Sequence, residues 1–445
     1  MKNAARGAKV RSKLAIEGGE PVRTRALPGE WPGTHYFGEK ELEYVTRVIK
    51  ARSPFRFYGP DPQHMCDKLE EEFARQKRVK YALGVSSGSE AIYIALAAMG
   101  VGPGDEVLLQ GYQWTSCING IVRLGAIPRM VDIDETFTMD PADLEKKIGP
   151  HSKAVLFVHM SGAAGNIQSV MGISHAHDLL VLEDCAQSNG ANIHGKPIGG
   201  FGDIGIFSLQ INKNITAGEG GMIVCNDDHL YKRCFAAHDL GYARNERGRL
   251  MQTSPDAQYQ FWGAGARMSE LTGALALAQL EKIGTITAAM RTAKWNIRRQ
   301  LETIPGLKFR KILDPEGDTG AFLIVIYPSA EICRKFVEAL KAEGIRGERD
   351  SNPNITMEEW GLHWYFNNLS LVHKRSISPS GWPWTLAENA FAKNYTYDRK
   401  VLPKCDDLAA RSGLFMVPSN ATNEDVDDII TAFRKVAGYL LTSEV

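Results

Sequence analysis

The stretch Tyr81-Ala82-Leu83-Gly84-Val85-Ser86-Ser87-Gly88-Ser89-Glu90-Ala91 contains an apolar run, a turn of small residues and the start of a helix. The apolar run predicts a short strand, and the helix that begins at Ser87 is predicted to stop at Gly100. The alternation continues, with predicted strands over 106–110, 127–132, 154–159 and 179–183, and predicted helices over 114–124, 141–148 and 170–177. Strands that alternate with helices indicate a mostly parallel sheet covered by helices.

Beyond this block the pattern predicts two strands, over 204–209 and 221–225, and a long helical stretch over 268–299 that is interrupted near Gly284. We therefore predict an α/β fold with two domains. A large domain, with an N-terminal arm, covers 13–290, and a smaller C-terminal α/β domain covers 291–445. An aromatic-rich insertion occupies 351–397, and residues 1–12 are predicted to form a flexible tail.

The bulk composition excludes several classes of protein. The 445 residues include 52 Lys and Arg and 52 Asp and Glu, so no net charge points to nucleic acid or to an anionic membrane. No apolar stretch approaches the ~20 residues that span a bilayer, and the basic N-terminus lacks the apolar segment of a signal peptide. The seven cysteines are scattered and never spaced C-x-x-C, which argues against a disulfide scaffold or a zinc knuckle. A cytoplasmic location is the expectation.

The chemistry predicted for this chain depends on a lysine in a glycine-rich turn. Lys213 lies between the predicted strand over 204–209 and the run Gly218-Glu219-Gly220-Gly221, and Asp184 follows the apolar run that ends the preceding strand. An amine that can be desolvated and an acid at a strand's carboxyl end suit a pyridoxal 5′-phosphate (PLP) enzyme. The lysine forms the Schiff base, and the acid keeps the pyridine nitrogen protonated. A structural salt bridge is the alternative for Asp184.

Other residues near these strand ends fit the same cofactor, although each has a simpler explanation. Gly88 and Ser89 lie at a helix N-terminus, where free N–H groups bind phosphate, but plain capping by Ser87 also explains this turn. Gln187 suits the cofactor's phenolate oxygen or a surface position. Trp114 suits ring stacking or core packing, and Ser208 suits the phosphate or a plain strand position. His159 suits substrate contact or a hydrogen-bonded core. His175 and His177 share a helix without a carboxylate partner, so no metal site is predicted.

An alternative hypothesis gives the same turn a different function. Gly84, Ser86 and Gly88 spell G-x-S-x-G, the nucleophile-elbow pattern of α/β-hydrolases. In that hypothesis Ser86 is the nucleophile, and Asp184 and His238 complete the triad in the right chain order. It leaves Lys213 and its glycine turn without a task, so it ranks second.

In this order along the chain, the motifs resemble the DegT/DnrJ/StrS-type sugar aminotransferases, PLP enzymes of fold type I. The resemblance covers roughly residues 13–440. It is carried by the segments 86–91, Gly102-Pro103-Gly104-Asp105-Glu106-Val107, Gly125-Ala126-Ile127-Pro128, Asp132-Ile133-Asp134, Val158-His159-Met160, Glu183-Asp184-Cys185-Ala186-Gln187, Phe207-Ser208, 213–221 and Arg267-Met268-Ser269-Glu270-Leu271.

The resemblance implies a fold type I large domain and an internal aldimine on Lys213, with Asp184 paired to the pyridinium. It places Gln187 near the phenolate, Trp114 on the ring, and Gly88, Ser89 and Ser208 on the phosphate. It also implies a homodimer with active sites at the subunit interface, in which an amino group moves from glutamate or glutamine to a keto-sugar or a related polyhydroxy ketone in amino-sugar biosynthesis. The sequence around His363 and Trp364 is similar to that of enzymes that aminate keto-octulosonate sugars. Both residues are therefore candidate substrate residues, together with His159.

The chain departs from the family pattern at three positions. Gly265 stands where relatives have an asparagine that reaches the partner's phosphate, Leu240 stands at a family histidine, and Leu209 replaces an aromatic residue. Two further hypotheses stay open, and the departures at Gly265 and Leu240 motivate the first of them. One is PLP-dependent elimination, decarboxylation or aromatisation of a sugar-like substrate, and the other is a non-catalytic PLP-fold sensor or partner protein.

Overall fold

The computed structural model describes residues 13–253, 256–348 and 351–441, so the tail predicted over 1–12 lies outside the described residues. The strands are β1 (Tyr81–Val85), β2 (Glu106–Gln110), β3 (Ile127–Val131), β4 (Ser152–Val158), β5 (Leu180–Asp184), β6 (Asn192–Ile193), β7 (Lys196–Pro197), β8 (Ile204–Ser208), β9 (Gly221–Cys225), β10 (Lys308–Phe309), β11 (Phe322–Ile326), β12 (Asn354–Thr356) and β13 (Ser412–Met416). The α-helices are α1 (Glu39–Ala51), α2 (Met65–Lys77), α3 (Gly88–Ala98), α4 (Thr115–Arg123), α5 (Pro141–Lys147), α6 (Ile167–Ala176), α7 (Asp228–His238), α8 (Glu270–Leu280), α9 (Ile283–Leu301), α10 (Ala330–Ala342), α11 (Leu369–Val372), α12 (Pro403–Arg411) and α13 (Asn423–Leu440).

The large domain is built on a seven-stranded sheet in the order β1-β9-β8-β5-β4-β2-β3. The strands β3, β2, β4, β5 and β8 pair in parallel, and β9 is antiparallel to both of its neighbours. Each face of the sheet has its own core of buried side chains, one beneath α3 and α4 and the other beneath α2 and α8. Because both faces of the sheet are buried, the strands are apolar along their length and do not alternate polar with apolar residues. The prediction of an α/β fold with a mostly parallel, helix-covered sheet is confirmed.

The C-terminal lobe has an antiparallel sheet in the order β10-β11-β13-β12, packed against α10 and α13. The N-terminal arm contacts this lobe. Leu14 and Leu27 lie in its core, and the buried Arg23 pairs with Asp425 and Asp428 at 3.0 Å each. The predicted division groups the arm with the large domain, and it stays a prediction. The apolar side chains of Leu14 and Leu27 are buried beside α10 and α13, while the Tyr36 carbonyl, nearer α1, accepts from Lys282 Nζ at 2.7 Å.

The aromatic-rich insertion runs along the edge of the large sheet. Tyr397 Oη donates to the Pro128 carbonyl at 2.9 Å, and Tyr395 Oη donates to Glu106 Oε2 at 2.8 Å. Trp364 bridges to Tyr112 beyond the end of β2, and the two rings stack at 4.3 Å. The insertion is therefore ordered and fastened to the large domain, where it covers the free side of the edge strand β3.

A buried arginine joins the two lobes. The Arg310 guanidinium of the C-terminal lobe donates to the carbonyl oxygens of Thr136, Met160 and Ser161 at 2.6, 2.7 and 3.0 Å. Ser161 has a φ of 53°, a left-handed conformation that is unusual for a residue with a side chain. Thr319 donates from its hydroxyl to the Gly162 carbonyl at 2.9 Å. The C-terminal lobe thus holds the 160–162 turn, which we call the clamped turn, in a conformation that it would not prefer alone.

None of the described helices is long and apolar enough to cross a lipid bilayer.

Candidate functional site

A single cavity lies at the carboxyl ends of β5 and β8, where parallel sheets place ligands. Its volume is about 440 Å³, and it is closed on the far side by the arm and the C-terminal lobe. Eight residues that the sequence predicted for the site line it together: Gly88, Ser89, Trp114, Asp184, Gln187, Ser208, Lys213 and His363. These positions are spread over 276 residues of sequence, so their convergence is a property of the fold.

Asp184 ends β5 and is almost completely buried, at 2% exposure. Its Oδ1 accepts the Ala186 N–H at 2.9 Å, and its Oδ2 accepts the thiol of Cys117 at 3.2 Å. Burial raises the pKa of the Asp184 carboxyl, while these two donors and the nearby Lys213 amine oppose the rise. A carboxylate in this position can hold a proton on an aromatic nitrogen that enters the cavity.

Lys213 lies in the turn between β8 and β9. Its N–H bonds to the Gln210 carbonyl at 3.0 Å, and Thr216 Oγ1 donates to the Leu209 carbonyl at 3.0 Å. The glycines that follow supply the positive φ values that close the turn, 79° at Gly218. Burial lowers the pKa of the Lys213 amine, and the Asp184 carboxylate opposes this. The amine is therefore easier to deprotonate than an exposed lysine, as a base or nucleophile requires.

The N-terminus of α3 provides a cradle for an anion. Ser87 caps the helix through its side-chain oxygen, which accepts the Glu90 N–H at 3.1 Å. The N–H groups of Gly88 and Ser89 come before this bond and have no acceptor within the helix. A Cβ on Gly88 would lie 2.7 Å from Ser208 Cβ, so only glycine lets the helix approach β8 this closely. The Ser89 and Ser116 hydroxyls are 2.7 Å apart at the rim.

Gln187 and Trp114 lie on two other sides of the cavity. Gln187 Oε1 accepts the backbone N–H of Ser161 at 3.1 Å, so its amide nitrogen is the end left to donate to a ligand. Trp114 is 41% exposed and lines the cavity. Its ring centroid lies 4.7 Å from that of His363.

Two of the three predicted substrate residues lie away from the cavity. The His159 ring is fully buried, with Nε2 at 2.9 Å from Glu183 Oε2 and Nδ1 accepting the Gly165 N–H at 3.2 Å. Trp364 is also fully buried, and its indole N–H donates to the Met357 carbonyl. Because both side chains are enclosed and hydrogen-bonded inside the protein, neither is assigned a substrate contact. Only His363 of the three lines the cavity.

The atoms of His159, Glu183 and Cys185 lie within 4.8 Å of one another, close enough for a metal ion. Both ring nitrogens of His159 are already hydrogen-bonded. The Glu183 carboxylate also accepts the N–H groups of Gly199, Phe201 and Gly202. A cluster with its lone pairs occupied in this way is a structural network.

The hydrolase hypothesis predicts a hydrogen-bonded Ser86–His238–Asp184 set. The described contacts do not form it. Asp184 bonds to Cys117 and Ala186, whereas His238 Nδ1 donates to the Phe235 carbonyl and its Nε2 has no partner among the described residues. Without a link from acid to histidine, Ser86 has no base to activate it.

His238 leads to a prediction about acid stability. Burial lowers the pKa of the His238 imidazole to about 3, against ~6.5 in an unfolded chain. Between these values the unfolded chain binds the extra proton, so this histidine makes the free energy of unfolding fall as the pH falls. The loss from pH 7 to pH 5 should be about 2 kcal/mol.

His238→Phe, which keeps a ring beside Phe235, should remove about that much of the pH dependence. Urea unfolding of both proteins at pH 7 and pH 5 measures it, with exposed His373→Phe as the control. An unchanged difference between the two pH values in His238→Phe would contradict the assignment.

The sequence missed several residues at the cavity. Cys117 bonds to Asp184 from α4, and Glu30, Phe322, Trp360 and Met416 line the far side. The aromatic composition of the insertion was the only signal for Trp360. Glu30 lies in the arm, and no local sequence pattern predicts how the arm runs over the C-terminal lobe.

The chain matches a known protein family over most of its length. The model of the "DegT/DnrJ/EryC1/StrS aminotransferase family" matches residues 37–353. A putative L-glutamine:3-amino-2,3-dideoxy-scyllo-inosose aminotransferase of Streptoalloteichus tenebrarius is 31% identical over 367 residues, 79% of this chain and 85% of the relative. GDP-perosamine synthase of Escherichia coli O157:H7 is 36% identical over 248 residues, 55% of this chain and 63% of the relative.

Among solved structures, the fold is similar to that of a putative sugar aminotransferase of Streptococcus pneumoniae in its PMP form. The TM-score is 0.74 at 20% identity, covering 94% of this chain and 99% of that one.

Proposed function

The chain belongs to the DegT/DnrJ/EryC1/StrS aminotransferase family, a family of PLP-dependent enzymes, and on that premise we propose how its cavity performs amino transfer. An amino group moves from glutamate or glutamine to a keto-sugar or a related polyhydroxy ketone. The observation that supports this most directly is that Lys213 and Asp184 line the same cavity at the carboxyl ends of β5 and β8. The charge of each acts on the pKa of the other.

The residues of the cavity fit PLP. The N–H groups of Gly88 and Ser89, with the Ser208 hydroxyl, would hold the phosphate, because a helix N-terminus favours an anion. Asp184 would hold the proton on the ring nitrogen, the Gln187 amide would donate to the phenolate oxygen, and Trp114 would cover the ring. The close approach of Gly88 to Ser208 is the structural sign of such a cradle.

When bound, PLP supplies an aldehyde that exchanges amino groups and a ring that stabilises negative charge on the carbon beside the nitrogen. The Lys213 amine would hold the cofactor and, once the amine of the donor has displaced it, would take the proton from Cα of the donor. Its lowered pKa leaves more of the amine unprotonated at neutral pH. Trp114 and His363 line the cavity beside the C-terminal lobe and would limit the water that reaches this exchange.

The first half of the reaction tests this function. The purified PLP enzyme, mixed with glutamate or glutamine, should change its visible absorbance to that of the pyridoxamine form, and a keto-sugar or keto-cyclitol should restore the original spectrum. An enzyme of the elimination, decarboxylation or aromatisation type would not accumulate the pyridoxamine form. A sensor would bind PLP and show neither change.

We further propose that the enzyme is a homodimer. The segment with the family departures has exposed apolar side chains, with Trp262 94%, Leu240 42% and Tyr242 40% exposed. Such a patch is typical of a protein interface. Native mass measurement should give twice the 49.1 kDa of the chain, and a monomer at micromolar concentration would contradict it. All seven cysteines are free and buried, in keeping with the proposed cytoplasmic location.

A further inference from the structure

A lysine that the proposed function does not use is buried in the large domain. Lys77 is the last residue of α2 and is 5% exposed. Its ammonium lies 4.5 Å from the ring centroid of Phe207 and 5.3 Å from that of Phe73, in the core on the face of the sheet away from α3. Among the described residues no carboxylate pairs with it, and the Cys185 thiol is the one titratable group that acts on its charge.

A buried cation of this kind is unfavourable by itself. Burial lowers the pKa of the Lys77 amine to about 8, so the amine is still mostly protonated at neutral pH. The two aromatic rings and one hydrogen bond offset the loss of water around the ammonium only in part. Methionine has a similar length and would pack against the same rings without that loss. What distinguishes the lysine from an apolar residue here is the hydrogen bond that it donates.

This hydrogen bond begins a connection that ends at the cavity. The Lys77 ammonium donates to Asn189 Oδ1 at 2.7 Å. Asn189 Nδ2 is buried and has no hydrogen bond to another described residue, so among those residues Lys77 alone orients the Asn189 amide. The Asn189 carbonyl in turn accepts the side-chain N–H of Asn214 at 2.8 Å. We call Lys77, Asn189 and Asn214 the buried bridge. All three residues are buried inside one chain, so the bridge is complete without a second copy.

The buried bridge joins the two turns that carry proposed cofactor contacts. Asn189 is two residues beyond Gln187 in the turn after β5, and Asn214 directly follows Lys213 in the turn after β8. Gln187, Lys213 and Asn214 all line the cavity. Among the described residues, the bond from Asn214 to the Asn189 carbonyl is the one hydrogen bond between these two turns. The placement of Lys213 relative to Gln187 therefore depends on how firmly Asn189 is held.

We propose that Lys77 is a positioning residue, which holds Lys213 in place relative to Gln187 through the buried bridge. The inference rests on the proposed aminotransferase function and adds a residue to it. Lys77 is not among the described residues that line the cavity, so it acts through its neighbours and touches neither cofactor nor substrate. A displacement of about 1 Å at a reacting group can lower a rate by up to ~10²-fold. Correct placement of Lys213 is thus a sufficient reason for a buried cation in the core.

Lys77→Met in the PLP-loaded enzyme tests the proposal. It removes the donor to Asn189 and keeps the contacts with the two rings. We expect the single-turnover rate with glutamate or glutamine to fall about 10-fold. Without any amino donor, the visible circular dichroism of the bound cofactor should weaken and its absorbance should titrate at a different pH, because Lys213 is held less firmly. Both spectra report the surroundings of the cofactor, which a loss of stability alone would not change in the folded enzyme.

A double-mutant cycle separates positioning from a general loss of packing. Asn214→Ala removes the last side chain of the buried bridge. If Lys77 acts through Asn214, adding Lys77→Met to Asn214→Ala should change the rate by less than ~2-fold, against about 10-fold when it is made in the wild-type chain. Independent effects of the two substitutions would show that Lys77 acts by another route, and would overturn the proposal.

Asn214→Ala also covers the case in which Lys77→Met does not fold. It leaves the buried amine paired with Asn189, so the core is intact, and it should produce the same change in the cofactor spectra. Wild-type spectra in Asn214→Ala would overturn the proposal. The matched control is Lys68→Met, at an exposed lysine of the same helix, which should keep wild-type rates and spectra.

Wild-type rate and spectra in folded Lys77→Met would make Lys77 a purely structural residue and overturn its positioning role. A failure of the proposed function has a different sign. A wild-type enzyme that never forms the pyridoxamine form with either donor would disprove the aminotransferase. The cofactor spectra of the Lys77 and Asn214 variants would still decide whether the buried bridge positions the Lys213 turn.

Discussion

Lys213→Ala should fold normally and lose at least ~10⁴-fold in kcat/KM, since it removes both the covalent anchor and the base. In the wild-type chain, borohydride should fix the cofactor to the peptide that contains Lys213, and mass spectrometry would identify it. In the variant no peptide should carry the cofactor. The amine is the only lysine or arginine nitrogen among the described cavity-lining residues, so no neighbour is placed to replace it.

The controls separate chemistry from charge. Lys213→Arg keeps a cation near Asp184 but cannot attach the aldehyde, so it should be nearly as inactive as the alanine variant. Lys196→Ala, on the exposed β6–β7 hairpin, should behave as wild type. More than ~1% residual activity in Lys213→Ala, or borohydride fixation at another lysine, would show that the catalytic amine lies elsewhere.

The second large effect is expected at Asp184. Asp184→Asn has the same shape, but its neutral amide no longer stabilises a proton on the cofactor's ring nitrogen. We expect kcat to fall by about 10²- to 10⁴-fold, the range of a positioned charge or proton-transfer group. PLP should still bind, because the phosphate cradle at Gly88 and Ser89 is untouched. The absorbance of the bound cofactor as a function of pH should change, since its ring nitrogen loses its partner.

Asp203→Asn is the matched control for this variant. Asp203 accepts the Val181 N–H at 2.7 Å near the start of the parallel strand pair, away from the cavity. Its amide can still accept that bond, so activity should stay close to wild type. If Asp184→Asn retained most of its kcat, the carboxylate would be a structural group held by Cys117 and Ala186, and the PLP interpretation of β5 would fail.

Much of the large domain could be predicted because its signals are local. Each strand of the parallel sheet is a short apolar run bounded by glycine or polar residues, and β1, β2 and β9 have the predicted bounds. The break between α8 and α9 lies at 281–282, close to the predicted interruption at Gly284. The strands β10, β12 and β13 were missed because two of them have only two or three residues, and their pairing is with distant segments.

The residues of the cavity also fall into those that local signals predict and those that depend on distant segments. Gly88, Asp184, Gln187, Ser208 and Lys213 follow strand ends of one parallel sheet, so topology alone brings them together. His159 also follows a strand end. Its ring is hydrogen-bonded inside the core to Glu183 of the adjacent strand β5. The sequence alone does not show whether a side chain at such a position points into the core or into the cavity. The far side of the cavity comes from the arm, the C-terminal lobe and the insertion. These segments converge through tertiary packing, which no sequence periodicity predicts.

The clamped turn has a consequence for how the enzyme matures. Gln187 Oε1 accepts the N–H of Ser161, and the Ser161 carbonyl accepts from Arg310, a residue that the ribosome makes long after the segment proposed to bind the cofactor. A nascent chain that has emerged only as far as α8 contains Lys213, Asp184 and the N-terminus of α3. It contains neither Arg310 nor the residues of the C-terminal lobe and the insertion that line the cavity. Loading with the vitamin B6 cofactor should therefore reach its final geometry only after translation has finished and the last-made lobe has docked.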